Sequence, residues 1–301
     1  MMKNLLVKIA QREFSKRAYL ITFLIFCLVA PVIAQEEEAK EEKPARPAFE
    51  SAWWFDRPTG LLYDQKTLEF IIQHRFGVIN NGLHDLFGVY GPTNVRLGLA
   101  YAPIDKLNVG LGYTKNKHIL DLNAKYGILT QTRSNSMPVS LGFYTNMGVE
   151  LLDEVNYEKS SHRYNYYHSL IISRRMNSKL SIQVSPSFSH YNAVYAVEQS
   201  DGSFGKMEND TWTVSTDFRY KLTSTLIFMF GYDHQITQHA INQPEPAFNF
   251  GIEISTSNHA FQIFASNNGG IQPQENFTFN TNQWKYSEYL IGFNITKLWS
   301  F

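Results

Sequence analysis

Hydrophobic and polar residues alternate with a period of two along the end of the chain. Counting back from Phe301 in steps of two, six of seven positions are apolar, and the exception is Lys297. The intervening positions are mostly polar or small, as at Gly292, Asn294 and Thr296. This period is typical of a β-strand with one apolar and one polar face. Such a strand fits either a membrane barrel or a soluble sandwich, so the rest of the chain must decide.

The same alternation recurs along the whole chain after residue 66. Most of the repeats are near ten residues, which is the length of a tilted strand in a bilayer. The twelve predicted segments are Thr67–Phe76, Asn94–Ala102, Lys106–Thr114, His118–Ile128, Val139–Gly148, His162–Arg174, Lys179–His190, Asp210–Lys221, Thr225–Gln235, Ala247–Ser255, His259–Ser266 and Trp284–Trp299.

The connections favour a barrel over a sandwich. Short turns and long loops alternate nearly regularly between the segments, which is the layout of a transmembrane barrel. Tyrosine and tryptophan residues fall near both ends of the segments, where two interfacial girdles are expected. The predicted fold is therefore all-β: residues 67–301 form a twelve-stranded antiparallel transmembrane β-barrel with short periplasmic turns and longer extracellular loops. The even strand count predicts that both termini lie in the periplasm.

The N-terminus predicts export. Residues 1–34 combine a basic start, an apolar core from Ala18 to Ala30 and small residues before Gln35, as in a signal peptide. The alternative is a membrane anchor, but the apolar run is shorter than the ~20 residues that a spanning helix needs. The single cysteine, Cys27, lies in this core, so the mature chain has no thiol chemistry.

The remaining N-terminal residues divide into two parts. Residues 35–50 are rich in Glu, Lys and Pro and predict a disordered acidic periplasmic tether. Residues 51–66 are too aromatic for a free linker, and two placements stay open: a plug in the lumen or packing against the periplasmic rim. The plug candidates are Trp53, Trp54, Phe55 and Arg57.

The charge balance argues against nucleic acid as a partner. Removal of residues 1–34 takes away five of 27 basic and one of 27 acidic residues, which leaves a net charge of about −4. No basic stripe is present. The expected partners are outer-membrane lipid, the barrel-assembly machinery and a small solute.

The polar faces of the segments predict the lumen residues. Their charges are nearly balanced, so they predict either a structural ion-pair network or a channel lining, and both readings stay open. Arg96 and Asp121 are expected to share a network with Arg75 and Lys125. The candidates are Glu69, Arg75, Arg96, Asp121, Lys125, Asp217, Arg219, Asp233 and Glu253, with Arg163 and Glu288 added from the segment ends.

Catalytic and metal sites are not expected. A lipid hydrolase needs a nucleophile beside a histidine on the lipid-facing wall. The outward residues of the segment after His168 include no serine, and the strand that closes against His74 offers no nucleophile. The nine histidines form no ligand motif, so we expect no metal and no cofactor.

Several short motifs resemble a known family. They are His74-Arg75-Phe76-Gly77, Phe87-Gly88, Asn94-Val95-Arg96-Leu97-Gly98, Lys125-Tyr126, Gln131 and Pro138-Val139-Ser140. Together they resemble an outer-membrane β-barrel family of Gram-negative bacteria known as a domain of unknown function. The resemblance implies a barrel fold and an outer-membrane location, and it implies no activity. The closing strand also resembles the C-terminal signature of such barrels, which implies that Trp299 and Phe301 form an assembly signal.

Two functions remain open from the sequence. The first is a porin-like channel for small solutes, and the second is a closed barrel that binds a ligand or partner, or has a structural role, through its extracellular loops. No enzymatic activity is expected in either case.

Overall fold

The computed structural model describes residues 42–152, 157–198 and 204–301. The predicted signal peptide and residues 35–41 of the predicted tether lie outside these residues. The chain divides into two units, Met1–Lys43 and Pro44–Phe301, and every described helix and strand belongs to the second.

Twelve antiparallel strands of the described residues close into one barrel. Each strand pairs with the next in the chain, and the last pairs with the first, from Ser300 opposite Thr67 to Leu290 opposite Val78. The strands are β1 (Thr67–Val78), β2 (Asn94–Ile104), β3 (Leu107–Thr114), β4 (Ile119–Leu129), β5 (Ser140–Glu150), β6 (Tyr164–Arg175), β7 (Leu180–Tyr191), β8 (Asp210–Lys221), β9 (Leu226–Gln235), β10 (Ala247–Ser255), β11 (His259–Ser266) and β12 (Leu290–Ser300).

The predicted twelve-stranded barrel is confirmed, and the main error in strand bounds is at β12. The sequence predicts a start at Trp284, whereas the strand begins at Leu290. Residues Trp284–Tyr286 form a 3-10 turn, and Ser287 follows with a left-handed φ of 59°. That conformation interrupts an extended chain, although Trp284 and Tyr286 alternate as they would in a strand.

The period-two pattern sorts the side chains into two faces. Leucine and aromatic residues such as Leu99 and Leu111 are exposed on the outside. Polar residues that alternate with them, such as Gln73 and Asp217, are buried inside. An apolar outer wall around a polar interior is the arrangement of a membrane barrel, because lipid faces only every second residue.

The two ends of the barrel differ. At one end, which we call the turn end, tight connections follow β2, β6, β8 and β10, and a longer one of residues 130–139 follows β4. The opposite loop end carries longer segments after β1, β5, β7, β9 and β11. These include a 3-10 helix (Ile79–Asp85), a two-stranded ribbon (Ala196–Glu198 with Phe204–Lys206) and a short helix, α1 (Pro273–Phe279).

Among the described residues, none of the helices has the length and apolar character needed to cross a membrane.

Candidate functional site

The segment before β1 lies inside the barrel. Residues 49–63, which we call the N-plug, enter from the turn end, where Pro44 forms a β-bridge with Thr132. They form a tight hairpin in which Trp53–Trp54 pairs with Arg57–Pro58. Phe49, Trp54 and Phe55 are fully buried. The inserted segment thus begins two residues before the predicted boundary at residue 51.

Aromatic contacts fix the apolar side of the N-plug. Phe49 packs edge-on against Trp54 with ring centroids 4.9 Å apart, and Phe55 packs against Phe264 of β11 at 5.1 Å. Trp53 meets Tyr144 of β5 at 6.0 Å. The lumen wall therefore supplies aromatic partners on two sides, and such pairs stabilise a unique placement of the hairpin.

Arg57 binds two carboxylates of the wall. Its guanidinium group forms ion pairs with Asp217 of β8 and Asp233 of β9, and all three side chains are at most 1% exposed. A Cβ atom at Gly231 would clash with Nη2 of Arg57, so the glycine leaves the space that the guanidinium occupies. Buried charges are tolerated when they are paired in this way.

Asp56, at the tip of the hairpin, pairs with Arg75 of β1. Arg75 Nε donates to Asp56 Oδ1 at 3.1 Å, and its Nη2 forms an ion pair with the same oxygen. The Arg75 guanidinium also lies 4.6 Å from the centroid of the Phe264 ring, and its Nη1 donates to Asn294 Oδ1 at 3.1 Å. Arg75 thus joins the tip of the N-plug to β11 and β12.

Arg96 and Asp121 form a second buried pair. Arg96 Nε and Nη2 each donate to a different Asp121 oxygen at 2.8 Å, which is a two-point contact. Asn146 Nδ2 donates to the same carboxylate at 2.9 Å. Arg96 also lies 5.2 Å from the Trp53 ring centroid. The sequence predicts that Arg75 and Lys125 share a network with this pair. In the structure, both side chains bind the N-plug instead.

The remaining predicted lumen residues also contact the N-plug. Glu69 accepts from the Tyr63 hydroxyl at 2.8 Å, Lys125 Nζ donates to the Thr59 carbonyl at 3.0 Å, and Glu253 accepts from the Ser51 hydroxyl at 2.7 Å. Arg219 Nε donates to Glu50 Oε2 at 2.5 Å. The structure therefore brings the wall charges and the N-terminal segment into one network.

Two further residues named from the sequence lie outside this network. Arg163 belongs to the 3-10 turn Ser160–Arg163 that precedes β6. Glu288 precedes β12 and accepts a hydrogen bond from the backbone of Gln283 at 2.9 Å. Both residues sit at the loop end rather than on a strand, because β6 and β12 begin later than the sequence predicts.

A second segment enters the lumen from the loop end. Residues 267–283, which we call the loop plug, are the first part of the connection from β11 to β12 and contain α1. Gln272 Nε2 donates to Asp121 at 3.2 Å, and Gln274 Nε2 donates to Asn146 and Asn165 at 2.9 Å each. The period-two pattern of the sequence does not predict this insertion. Its signal is a run of asparagine and glutamine unusual for an exposed loop, with Pro273 at the first turn of the helix.

Glu275 of the loop plug is buried near the loop end. Asn116 Nδ2 donates to its Oε1 at 3.4 Å, and its Oε2 has no hydrogen-bond partner among the described residues. Burial raises the pKa of this carboxyl group, and Lys117 opposes the shift. The inserted loop therefore favours the protonated form of Glu275.

The two plugs meet in the middle of the lumen. Asp56 Oδ2 accepts hydrogen bonds from Asn276 Nδ2 at 3.2 Å and from Asn268 Nδ2 at 3.3 Å. A cavity of about 20 Å³ remains beside Trp53, Glu69 and Lys125, which is space for about one water molecule. In this conformation the lumen is filled by the chain itself.

His168 on β6 has a threonine hydroxyl neighbour. The Thr145 hydroxyl of β5 lies 3.0 Å from its Nδ1, a contact that the residues of β7 do not predict. The imidazole ring stacks on Phe143 and Phe188 at 6.1 and 6.3 Å. Among residues 42–152, 157–198 and 204–301, no group of three or more His, Cys, Asp or Glu side chains could hold a metal ion.

Several solved outer-membrane proteins are similar in structure. The NanC porin is 9% identical with a TM-score of 0.46, over 77% of this chain and 98% of that one. An outer-membrane channel from Pseudomonas putida F1 is 10% identical with a TM-score of 0.48, over 79% and 97%. The KdgM porin is 11% identical with a TM-score of 0.41, over 78% and 99%.

Sequence comparison gives the family. No curated protein sequence matches this chain. The family model described as "Membrane bound beta barrel domain (DUF5777)" matches residues 49–299, which include the N-plug, the loop plug and the twelve strands except Ser300 at the end of β12. The chain therefore belongs to this family of membrane-bound β-barrels.

Proposed function

We propose that this protein is a channel of the Gram-negative outer membrane whose resting lumen is closed by its own chain. Small solutes pass when the loop plug, the N-plug or both leave the lumen. The turn end faces the periplasm and the loop end faces the outside, with both termini periplasmic. The observation that carries the proposal is that Asp56 binds both the wall and the loop plug.

The chemistry of the contacts supports a closure that can open. Hydrogen bonds between neutral amide groups help to hold the loop plug, as between Gln274 and Asn146 or Asn165. A hydrogen bond of this kind contributes only about 0.5–1.5 kcal/mol net, because water replaces it when it breaks. The N-plug, in contrast, is held by buried ion pairs of Arg57 and Asp56. The loop plug is therefore the segment expected to leave first.

The wall charges indicate the class of solute. Five acidic and four basic predicted lumen residues are buried in the strands, and no long track of one sign is present among them. A pore with such a balance focuses little net potential. The open channel is therefore expected to pass small neutral or zwitterionic solutes, with weak preference between anions and cations.

Single-channel recording in a planar bilayer tests the proposal. The full chain is expected to show rare openings. Replacement of residues 269–281 by a Gly-Ser bridge should make the openings more frequent, and deletion of both plugs should give a lasting open state. Deletion of residues 80–90 is the matched control, because this segment lies at the same end and has exposed side chains such as Leu83. A reversal potential in a salt gradient measures the selectivity. A folded double-deletion barrel without conductance would contradict the channel.

A closed barrel that binds a partner through its loops is the second candidate. Apolar side chains of the loop end, including Leu83, Tyr90 and Phe204, are exposed at 78%, 81% and 71%. Exposed apolar residues of this size favour contact with another molecule. In this case the deletion of residues 80–90 would abolish partner binding, and neither plug deletion would produce conductance.

A further inference from the structure

A cavity at the turn end lies outside the filled lumen. Its volume is about 320 Å³, and it opens between the 130–139 connection, the turn after β6 and the N-terminal residue Ala45. Three of its lining side chains are Arg133, Arg174 and Arg175, and no lining residue is acidic. The cavity thus combines the space for a small polar group with three positive charges.

Neutral oxygens hold the three guanidinium groups in place. Arg133 Nε donates to the Pro44 carbonyl at 3.1 Å, Arg174 Nη2 to Asn135 Oδ1 at 3.3 Å, and Arg175 Nη1 to the Pro47 carbonyl at 3.3 Å. Such neutral acceptors orient the side chains without neutralising their positive charges. The lumen arginines differ, since Arg57, Arg75, Arg96 and Arg219 are all paired with carboxylates.

Arg174 carries an unused donor. Its Nε is buried and has no hydrogen-bond partner among the described residues. A buried donor without a partner is costly, and a guanidinium group matches an anion that accepts at two points. Because Arg133 and Arg175 line the same cavity, it fits an anion with several oxygen atoms.

The position of Arg174 indicates where this anion comes from. Leu170, Ile172 and Arg174 lie on alternate positions of β6, and Leu170 is exposed on the outer wall. Arg174 is the second-to-last residue of β6. It therefore lies at the end of this face, at the level where lipid headgroups follow the hydrocarbon layer. Met176 lines the same cavity and is 49% exposed, so an apolar surface adjoins the charges.

We propose that this cavity is a phosphate-binding site at the turn end, formed by Arg133, Arg174 and Arg175. Its occupant is the phosphate group of a membrane lipid in the adjoining leaflet. Arginine is suited to this role because its planar fork binds phosphate oxygens at two points and stays charged at all relevant pH values. The proposed phosphate binding does not depend on whether the barrel conducts.

Native mass spectrometry of the refolded barrel tests the site. The protein is mixed with phosphatidylglycerol or with diacylglycerol of the same acyl chains, which lacks the phosphate. R133Q/R174Q is compared with K66Q/K106Q, which removes two exposed charges at the same end without touching the cavity. Heat-modifiable migration shows that each variant is folded. A second arm adds millimolar inorganic phosphate as a competitor.

We expect the wild-type barrel and K66Q/K106Q to retain phosphatidylglycerol and R133Q/R174Q to retain about tenfold less. R133K/R174K should fall between them, because lysine keeps the charge and loses the two-point geometry. If inorganic phosphate displaces the lipid, the site is assigned to a soluble phosphate. If the lipid stays bound, the site is assigned to a lipid headgroup. Equal retention by wild type and R133Q/R174Q, an equal loss in K66Q/K106Q, or equal binding of diacylglycerol would overturn the proposal.

Discussion

Asn276 donates a 3.2 Å hydrogen bond to Asp56, and this contact joins two segments that enter the barrel from opposite ends. Asp56 belongs to the N-plug and Asn276 to the loop plug, 220 residues apart in the chain. Asp56 is also paired with Arg75 of the wall. One carboxylate therefore holds three parts of the molecule, so a change on either plug is expected to affect the other.

Asn276→Ala should make the closed lumen easier to open. The substitution removes a hydrogen bond to a charged acceptor, which contributes about 1.5–3 kcal/mol. The frequency of conducting openings in a planar bilayer should rise about tenfold or more. Asn81→Ala is the control, since Asn81 donates to Asp85 at 3.0 Å on an exposed loop. An unchanged opening frequency in the Asn276 variant would show that this contact does not hold the loop plug.

Arg96→Leu should destabilise the barrel. The substitution leaves the Asp121 carboxylate buried without its cation, which costs about 3–5 kcal/mol. Urea unfolding, followed by heat-modifiable migration, should show a lower midpoint. Arg96→Leu with Asp121→Asn removes the unpaired charge and should recover part of the loss. A single variant with an unchanged midpoint and altered ion selectivity would instead identify Arg96 as a channel lining.

Gly231→Ala should displace the N-plug. Its Cβ would clash with Arg57 Nη2 and lie 2.9 Å from Asp217 Oδ1, so the Arg57 ion pairs must shift. Chymotrypsin should then cleave after Trp54 or Phe55, which are fully buried in the native barrel.

Gly142→Ala is the matched control for this substitution. The nearest atom to its Cβ is the Tyr126 carbonyl oxygen at 3.4 Å, which is an ordinary contact. Equal cleavage rates in the two alanine variants would show that the wall accommodates a methyl group beside Arg57. Mass spectrometry of the fragments identifies the site of cleavage.

The sequence predicts the wall of this barrel better than its contents. The period of two places Gln73, Arg96 and Asp217 on the inner face of the wall without any knowledge of their partners. The partners of these residues cannot be predicted in this way, because Arg57 and Asp217 are 160 residues apart and no local pattern links them. The loop plug was missed for the same reason: a long loop has no period that shows whether it folds outward or inward.

The closure of the lumen should depend on pH through Glu275. Its pKa is raised by burial in the inserted loop, whereas the released carboxyl group has its ordinary pKa near 4.5. Insertion therefore favours proton uptake, and the inserted state becomes more stable as the pH falls from above the raised pKa toward 4.5. The frequency of openings should therefore decrease as the pH falls through this range.

Glu275→Gln isolates this effect from the other carboxyl groups. The variant keeps the size of the side chain and cannot ionise, so its openings should be rarer at neutral pH and should respond less to acid. Lys117, Glu150 and Asp56 act on the same group, and they are unchanged in the comparison. The same pH response in both proteins would assign the titration to another carboxyl group.

Phe301 should be needed for assembly into the membrane rather than for stability of the finished barrel. Its side chain is 80% exposed, so it adds little packing, and only its backbone N–H binds Lys66 O, at 3.2 Å. Phe301→Ala keeps that backbone bond and removes the aromatic ring that directly follows β12. We expect less heat-modifiable barrel in the outer membrane of cells that express the variant, with an unchanged urea midpoint for the protein that does insert. Phe204→Ala, at an exposed aromatic of the loop end, should insert normally. Equal amounts of inserted barrel for both variants would show that the closing strand assembles without its terminal aromatic side chain.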